Sequence, residues 1–335
     1  EAYDNETVSD LSLRSRPFFM NPPAGFSDCA IVKPLGGLTV FGTEEVGKAE
    51  DYLARWSRRC PELHLMSATE AIDRVPIIKS SAIAGAIFDP NLLSIDTHHL
   101  LHGFLRGIRR NKGEIFFQHN VRVKTKSPTS WQVQSPTLTL ETPVLINASG
   151  AWSNQIAQMA GVEKLPLTPS RRTAVIVEIS DALSSTQAKR WPMVRTLEQN
   201  LYFKFDEPGL FLSPQDETPS DACDAQPEEI DVAIAIENFQ SLCETQVSKV
   251  LSQWAGLRSI TPDRCPLVGP AIDNERFFWV AGQGGAGFLD GAKGLTFSSD
   301  GGFLYVASSV DAAVNWYDRN STTGDLSYLG SLRNG

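Results

Sequence analysis

The feature that most constrains the fold of this chain is the segment FFWVAGQGGAG at positions 277–287. A short apolar run closed by glycines predicts a fully buried β-strand rather than a helix. The four glycines permit positive φ angles and leave no Cβ atom between the backbone and a flat, charged cofactor. A plain turn explains the same glycines, because a glycine cluster alone is not specific to nucleotide binding.

The size and charge of the chain restrict its class of function. With 335 residues it can bury a large core and form two domains. Its net charge of -9 disfavours nucleic acid or an anionic membrane surface as a partner. No apolar run in the sequence reaches membrane-spanning length. The sequence therefore predicts neither a nucleic-acid-binding protein nor a membrane span.

The cysteines bear on metal binding and on cellular location. They are odd in number and show neither CxxC nor His-paired spacing, which disfavours a disulfide framework and a zinc site. A reducing cytoplasm is the location that such free thiols predict. The cysteines are Cys29, Cys60, Cys223, Cys243 and Cys265.

A second segment has the order of elements that nucleotide-binding folds use. The run VLINASGAW at 144–152 predicts a strand that breaks at Gly150 and leads into a helix at 153–161. A strand, a glycine and a helix N-terminus together place backbone N–H groups at a pyrophosphate. An ordinary strand-to-helix corner is the alternative. Elsewhere, Asp96 predicts the N-cap of an amphipathic helix that ends at Gly113, and three short runs within 114–140 predict a β-meander.

The order of several motifs resembles one known family. The segments NASGAW, SRRTAV, WPM, LYFK, WAGLRS, PLVG and FFWVAGQGG are similar to those of the FAD-dependent D-amino-acid oxidoreductases, which include glycine and sarcosine oxidases. The likeness is greatest to the D-arginine dehydrogenase type and covers residues 2–287. It implies FAD as cofactor and a mixed α/β (α+β) fold. A Rossmann-like FAD domain would comprise 1–36, 94–170 and 255–287, and an antiparallel-sheet substrate domain would comprise 37–93 and 171–254.

The resemblance also implies a role for individual residues. The positions that match cofactor contacts are Val121 at the adenine, Ala148, Gly150 and Trp152 along the dinucleotide, and Gly256, Gly284, Gly285 and Gly287 near the flavin. The positions that match substrate contacts are Arg172 and Arg258 at the carboxylate, Tyr202 as their phenolic partner, Tyr3 and Met193 as pocket walls, and Gly285. No metal is implied.

The chemistry of amine oxidation suits these residue types. Two arginines can hold a carboxylate by bidentate, charge-assisted hydrogen bonds, which directs the Cα–H bond of the substrate at the flavin. Positioning of this kind supplies roughly 7–11 kcal/mol of the barrier in well-oriented systems. Taken singly, Arg172 is better explained by a salt bridge and Tyr202 by a place in the core, but their joint occurrence with the family motifs favours the substrate-binding roles.

Two substitutions within the resemblance bear on the substrate. Gly37 stands where the D-arginine type has a glutamate that would hold a distal guanidinium. A strongly cationic side chain would lose its counter-charge there, so a small or apolar D-amino acid or a secondary amine is expected. Arg195 stands at a position that is apolar in that type, and it would favour an acidic side chain instead.

The two ends of the chain depart from the family pattern. The opening βαβ unit with its G-x-G-x-x-G motif is not found before Tyr3, and residues 288–335 resemble one repeat of a lactonase-type β-propeller, predicted as a short β-hairpin unit. Two hypotheses follow. The chain oxidises a D-amino acid or related amine to an imine, and then a 2-oxo acid, by hydride transfer to FAD. Alternatively, it is a truncated, chimeric fragment of such an enzyme that lacks a competent flavin site. The sequence does not specify the electron acceptor.

Overall fold

The structure, a computed structural model, describes residues 5–179 and 185–285 and four further strands at 296–297, 303–308, 313–319 and 326–333. Its fold is mixed α/β. The helices are α1 (Glu6–Met20), α2 (Val46–Trp56), α3 (Ala68–Arg74), α4 (Thr97–Arg110), α5 (Ser153–Ala160), α6 (Ser185–Ala188) and α7 (Glu229–Leu242).

The strands follow the same chain order. They are β1 (Val32–Pro34), β2 (Gly37–Phe41), β3 (His64–Ser67), β4 (Gly85–Asp89), β5 (Leu93–Ile95), β6 (Arg122–Ser127), β7 (Ser130–Gln134), β8 (Thr139–Thr142), β9 (Leu145–Asn147), β10 (Thr168–Ile179), β11 (Met193–Thr196), β12 (Tyr202–Asp206), β13 (Gly209–Ser213), β14 (Thr218–Pro219), β15 (Val247–Ile260), β16 (Leu267–Pro270), β17 (Phe277–Ala281), β18 (Thr296–Phe297), β19 (Phe303–Ser308), β20 (Ala313–Arg319) and β21 (Leu326–Arg333).

The described residues form two compact units. Unit 1 contains Val32–Ile95 and Ser170–Leu257. Unit 2 contains residues 5–31, Asp96–Pro169 and the described chain from Arg258 onward. The identification of particular ranges as the flavin domain and the substrate domain stays a prediction.

Unit 1 is built on a nine-stranded sheet. Its strand order is β14-β10-β13-β12-β11-β2-β4-β3, and β15 also pairs with β10. Along that order the neighbours are antiparallel except β2 and β11, which run parallel with Met193 opposite Gly37. The sheet that the resemblance implied as antiparallel thus contains one parallel pair.

One face of this sheet forms the main hydrophobic core, and we call it the core face. Successive side chains of a strand point to opposite faces, and alternate residues such as Val194, Phe203 and Leu212 are buried together. Helix α7 covers them with its stripe of Val232, Ala235, Phe239 and Leu242, whose spacing places all four on one side of a helix. The rings of Phe203 and Phe239 meet edge to face at 5.2 Å. Burial of each ring stabilises the fold by about 1.5–3 kcal/mol.

The opposite face, which we call the polar face, has a different character. Alternation assigns it Arg172 on β10, Phe211 on β13, Tyr202 on β12, and Met193 and Arg195 on β11, all of which are half-buried. Arg195 lies opposite Tyr202 in the antiparallel pair β11–β12. Helix α2 covers the β2–β4 end of this face through a separate apolar cluster that includes Phe41, Trp56 and Ile87.

Unit 2 contains the predicted nucleotide-binding elements. The glycine-terminated run forms strand β17, which is buried and pairs in parallel with β9 and antiparallel with β16. The predicted meander is confirmed as the antiparallel sheet β6-β7-β8. The predicted helix at Asp96 is confirmed as α4, whose N-cap carboxylate accepts the backbone N–H of His99 at 3.0 Å. It ends at Arg110 rather than Gly113.

The C-terminal strands form hairpins, as their sequence pattern predicted. β18, β19, β20 and β21 are arranged in that order in one antiparallel sheet. Their resemblance to a propeller repeat stays a prediction. Within the described parts of the chain, no helix has both the length and the apolar character needed to cross a bilayer.

Candidate functional site

The polar face of unit 1 collects three of the predicted substrate residues. Arg172, Met193 and Tyr202 lie on β10, β11 and β12 respectively, and β13 separates the first of these strands from the others. Met193 is the first residue of its strand and Tyr202 the first of the next. A sheet face holds such side chains at fixed spacing, so the three share one surface although they are far apart in sequence.

The guanidinium of Arg172 already has an acidic neighbour. Its Nε donates to the carbonyl oxygen of Asp216 at 2.7 Å, and one terminal nitrogen donates to the Glu217 carboxylate at 2.9 Å. The Asp216 carboxylate in turn accepts the backbone N–H of Thr173 at 2.7 Å, which pins this loop to β10. The salt-bridge interpretation of Arg172 therefore describes its contacts, and its role at a substrate carboxylate stays a prediction.

Tyr202 contributes to an aromatic surface. Its ring stacks on Phe211 with centroids 5.5 Å apart, and Phe211 meets Trp254 at 5.7 Å. The Tyr202 hydroxyl makes no hydrogen bond to the part of the chain that the structure describes. This surface offers an apolar wall with one polar group at its edge.

Arg195 has neighbours that sequence reasoning did not identify. Its Nε donates to the Thr39 hydroxyl at 2.8 Å, and a terminal nitrogen donates to the Tyr52 hydroxyl at 2.5 Å. Thr39 and Tyr52 lie more than 140 positions away in the sequence. Only the parallel pairing of β2 with β11 brings Thr39 to this arginine. Gly37, on the same strand as Thr39, is buried beside Leu92 and Asp89.

The glycine turn of unit 2 holds the second predicted arginine. Gly282 and Gly284 have φ angles of 74° and 57°, which L-residues with side chains rarely adopt. The backbone N–H of Gly284 donates to the Ser259 carbonyl oxygen at 2.8 Å. A Cβ atom on Gly285 would lie 2.6 Å from a terminal nitrogen of Arg258. The turn therefore packs directly against the Arg258 guanidinium, which brings two of the predicted residues together.

Arg258 differs from Arg172 in its surroundings. The side chain is half-buried, and it makes no hydrogen bond or ion pair with the part of the chain that is described. A guanidinium in this state retains its full capacity to bind a carboxylate.

The predicted dinucleotide corner is confirmed in its local structure. Strand β9 leads through a short 3-10 turn, Gly150–Trp152, into α5. Gly150 has a φ of 58°, and a Cβ atom there would meet nothing within 4 Å. The buried Asn147 stabilises the corner, because its amide donates to the Ser153 carbonyl oxygen at 2.9 Å and its oxygen accepts the Ser149 hydroxyl at 2.6 Å.

The remaining predicted cofactor residues are placed as follows. Val121 is half-buried directly before β6, and Ala148 and Trp152 are exposed at the corner. Gly256 lies on β15 within unit 1, exposed and with open space at its Cβ position. Tyr3 and Gly287 lie outside the described residues.

Comparison with known proteins identifies the family. Residues 3–292 match the family model described as DAO, FAD-dependent oxidoreductase. The chain belongs to this DAO family. FAD is accordingly its cofactor. This confirms the broad part of the resemblance and leaves the D-arginine type as a prediction.

Individual DAO relatives are distant in sequence. Human mitochondrial dimethylglycine dehydrogenase is 21% identical over 255 residues, which covers 71% of this chain and 29% of that protein. The chain thus spans less than a third of the length of this curated relative. Glycine oxidase from Geobacillus kaustophilus has a TM-score of 0.68 at 17% identity, covering 85% of this chain and 74% of the oxidase. Iminodiacetate oxidase from Chelativorans sp. BNC1 has a TM-score of 0.64 at 16% identity, covering 78% and 69%. At these identities, the structural likeness shows a common fold.

Two unpartnered hydroxyls fit the binding of FAD by unit 2. Ser153 and Ser259 have buried Oγ atoms without a hydrogen-bond partner in the described structure. Leaving a polar group buried and unsatisfied costs about 1–3 kcal/mol, so such atoms call for an explanation. Each adjoins a predicted site residue, since Ser153 follows Trp152 and Ser259 follows Arg258. A polar ligand such as a dinucleotide would supply the missing partners.

Proposed function

We propose that this chain oxidises an α-amino acid or an N-substituted glycine, with FAD as the electron acceptor of the chemical step. The observation that carries the proposal is the Arg258 guanidinium, which lies against Gly285 in the glycine turn and has no acidic partner among the described residues. Membership of the DAO family supports the redox chemistry. The immediate product is an imine, and its hydrolysis by water yields a carbonyl compound, such as a 2-oxo acid, together with ammonia or a shorter amine.

The residues of this chain supply orientation. Arg258 binds the substrate carboxylate through two parallel N–H donors, which fixes the rotation of the carboxylate and limits the approach of the neighbouring carbon. When bound, FAD accepts the hydride that leaves the substrate carbon. The contribution of the protein is thus positioning, which lowers the entropic part of the barrier.

The substrate class follows from side-chain chemistry. Gly37 supplies no carboxylate for a cationic substrate side chain, so a D-amino acid with a basic side chain is disfavoured. The similar proteins are named for dimethylglycine, glycine and iminodiacetate, which are all small amines attached to a carboxymethyl group. An N-substituted glycine or a small D-amino acid is therefore the proposed substrate. The cytoplasm is the proposed location of the protein.

The visible spectrum of the purified chain tests this function. We expect a bound flavin band that bleaches when sarcosine, iminodiacetate or D-alanine is added without oxygen. Recovery of the band on admission of air, with formation of hydrogen peroxide, would identify oxygen as the acceptor; recovery with a quinone or dye alone would identify a dehydrogenase. A colourless protein that takes up no added FAD would instead support the chimeric, catalytically incompetent fragment.

Substitution of Arg258 tests the role of the carboxylate clamp. In Arg258→Met, the KM of the accepted substrate should rise by about 10- to 100-fold, because charge-assisted hydrogen bonds contribute about 1.5–3 kcal/mol. The matched control is Arg109→Met, which removes an exposed arginine from the end of α4. Equal KM values in the two variants would reject the role of Arg258.

A further inference from the structure

Two histidines lie side by side on the exposed side of α4. His98 and His102 are four positions apart, and residues at this spacing are neighbours on one side of a helix, with roughly 5–6 Å between their Cβ atoms. Their ring centroids are 4.2 Å apart, and both residues are exposed. Imidazole is the most common metal ligand in proteins. Two imidazoles this close can both contact one ion, because a zinc–nitrogen bond is only about 2.0–2.1 Å long.

The buried side of α4 holds the helix, and so the histidine pair, in place. Leu100 and Gly103 are buried on that side. A Cβ atom on Gly103 would overlap the Phe26 ring, so the helix backbone packs directly on that ring. Phe26 also meets Phe104 edge to face, with ring centroids 5.0 Å apart. The backbone that carries the two imidazoles is therefore fixed, and rotation about their side-chain bonds is sufficient to bring both rings to one ion.

The neighbouring His99 has a different partner. Its Nδ1 atom lies 2.8 Å from the carboxylate of Asp96, the N-cap residue of the same helix. Across the described ranges of the chain, no group of three or more histidine, cysteine or acidic side chains is arranged to hold a metal ion. An ion bound by His98 and His102 would therefore have two protein ligands and would keep water at its other positions.

We propose that His98 and His102 form a bidentate surface site for a divalent transition-metal ion. Imidazole suits Cu²⁺, Ni²⁺ and Zn²⁺, whereas Mg²⁺ and Ca²⁺ prefer oxygen ligands. Cu²⁺ should bind more tightly than Ni²⁺ or Zn²⁺, as is general for nitrogen ligands. The site shares no residue with the predicted FAD or substrate contacts, so its test is independent of the proposed function.

Calorimetric titration of the full chain, without an affinity tag, with Ni²⁺ tests the site. Wild type should bind one Ni²⁺ ion that excess Mg²⁺ does not displace. His98→Gln and His102→Gln should each weaken binding by at least about tenfold, because loss of even an outer-shell partner of a metal costs about 10- to 100-fold in affinity. His99→Gln is the matched control and should bind Ni²⁺ as the wild type does. Glutamine is a good helix former, so circular dichroism should show the same helix content in all three variants.

Two further measurements separate the histidine pair from other ligands. Cys29 and Cys223 are exposed free thiols, so the titration is repeated after their alkylation. Retained Ni²⁺ binding supports the histidine site, and its loss would assign the ion to cysteine. In the Cu²⁺-loaded wild type, electron paramagnetic resonance should show coupling to two nitrogen atoms, and in His98→Gln to one. Absence of Ni²⁺ binding in the wild type, or equal losses in the three histidine variants, would overturn the proposal.

Discussion

The two faces of the nine-stranded sheet in unit 1 use the same strands for different purposes. On the core face, Phe203 and its neighbours are buried against α7. On the polar face, the adjacent residue of the same strand, Tyr202, is half-buried and keeps a free hydroxyl within the described structure. Successive side chains of a strand point to opposite faces of the sheet. Two adjacent residues can therefore differ in role, one packing in the core and the next exposing a polar group on the other face.

The arginines of unit 1 differ in the charge of the groups that contact them. Arg171 and Arg172 are consecutive and lie on opposite faces of β10. Burial opposes the charged form of Arg171, but its hydrogen bonds to Glu228 and Asp231 and their charges raise its pKa above the ordinary value. Among the described residues, the hydrogen-bond partners of Arg195 are the hydroxyls of Thr39 and Tyr52. An arginine that completes an ion pair compensates the charge of a buried carboxylate, whereas one held by neutral groups has no compensating charge among the described residues.

The largest effect is expected on the core face. Phe203→Ala should lower the free energy of unfolding by about 3–5 kcal/mol, because it removes a fully buried ring and leaves a cavity under α7. Tyr202→Ala, one position away on the polar face, should cost markedly less. Urea denaturation of both variants measures the difference. Similar losses in the two variants would contradict the separation of the faces.

A smaller effect is expected at the ion pair of Arg171. Arg171→Met leaves the Asp231 carboxylate, whose side chain is only 11% exposed, without its partner at 3.0 Å. We expect a loss of about 2–4 kcal/mol in the free energy of unfolding, somewhat below the cost of breaking a fully buried pair. Thermal and urea denaturation provide the measurement. The double variant Arg171→Met, Asp231→Asn should recover part of this lost stability. The single variant Arg195→Met leaves no carboxylate without a partner, so its free energy of unfolding should fall by less than that of Arg171→Met or of the double variant.

The smallest effect concerns α3, which packs on the core face. Hydrogen bonds from the Ser67 hydroxyl and backbone N–H lower the pKa of the Glu70 carboxyl from its ordinary value of 4.5. A carboxyl whose folded pKa lies below its unfolded pKa stabilises the fold above the unfolded value and loses that contribution as the pH falls through the folded one. Wild type should therefore exceed Glu70→Gln slightly in stability at pH 7, and the gap should close below about pH 4.5. A gap that stays constant down to pH 3 in urea titrations would contradict this assignment.

Much of the local structure could be predicted because its cause is local. The apolar run and the glycines of 277–285 predict a buried strand and a turn, and β17 with the positive φ angles of Gly282 and Gly284 confirms both. The N-cap of α4 follows in the same way from Asp96. Motif order also predicted the broad family, which the match over 3–292 confirms.

The structural features that could not be predicted from the sequence depend on pairing between segments that are far apart along the chain. The parallel pair β2–β11 joins segments more than 150 residues apart, and no local pattern specifies it. The partners of Arg172 likewise come from a loop about 45 positions away. Arginines that the sequence pattern does not distinguish therefore lie in different surroundings in the structure.

The sequence by itself determined where the strands, caps and glycine turns of this protein occur and which redox family it belongs to, since these depend on neighbouring residues and ordered motifs. Only the tertiary structure decided which arginines form ion pairs with carboxylates and which have uncharged partners among the described residues. The physical reason is that the electrostatic state of a side chain is set by the groups within a few ångströms of it, and for Arg195 those groups arrive from distant strands and helices.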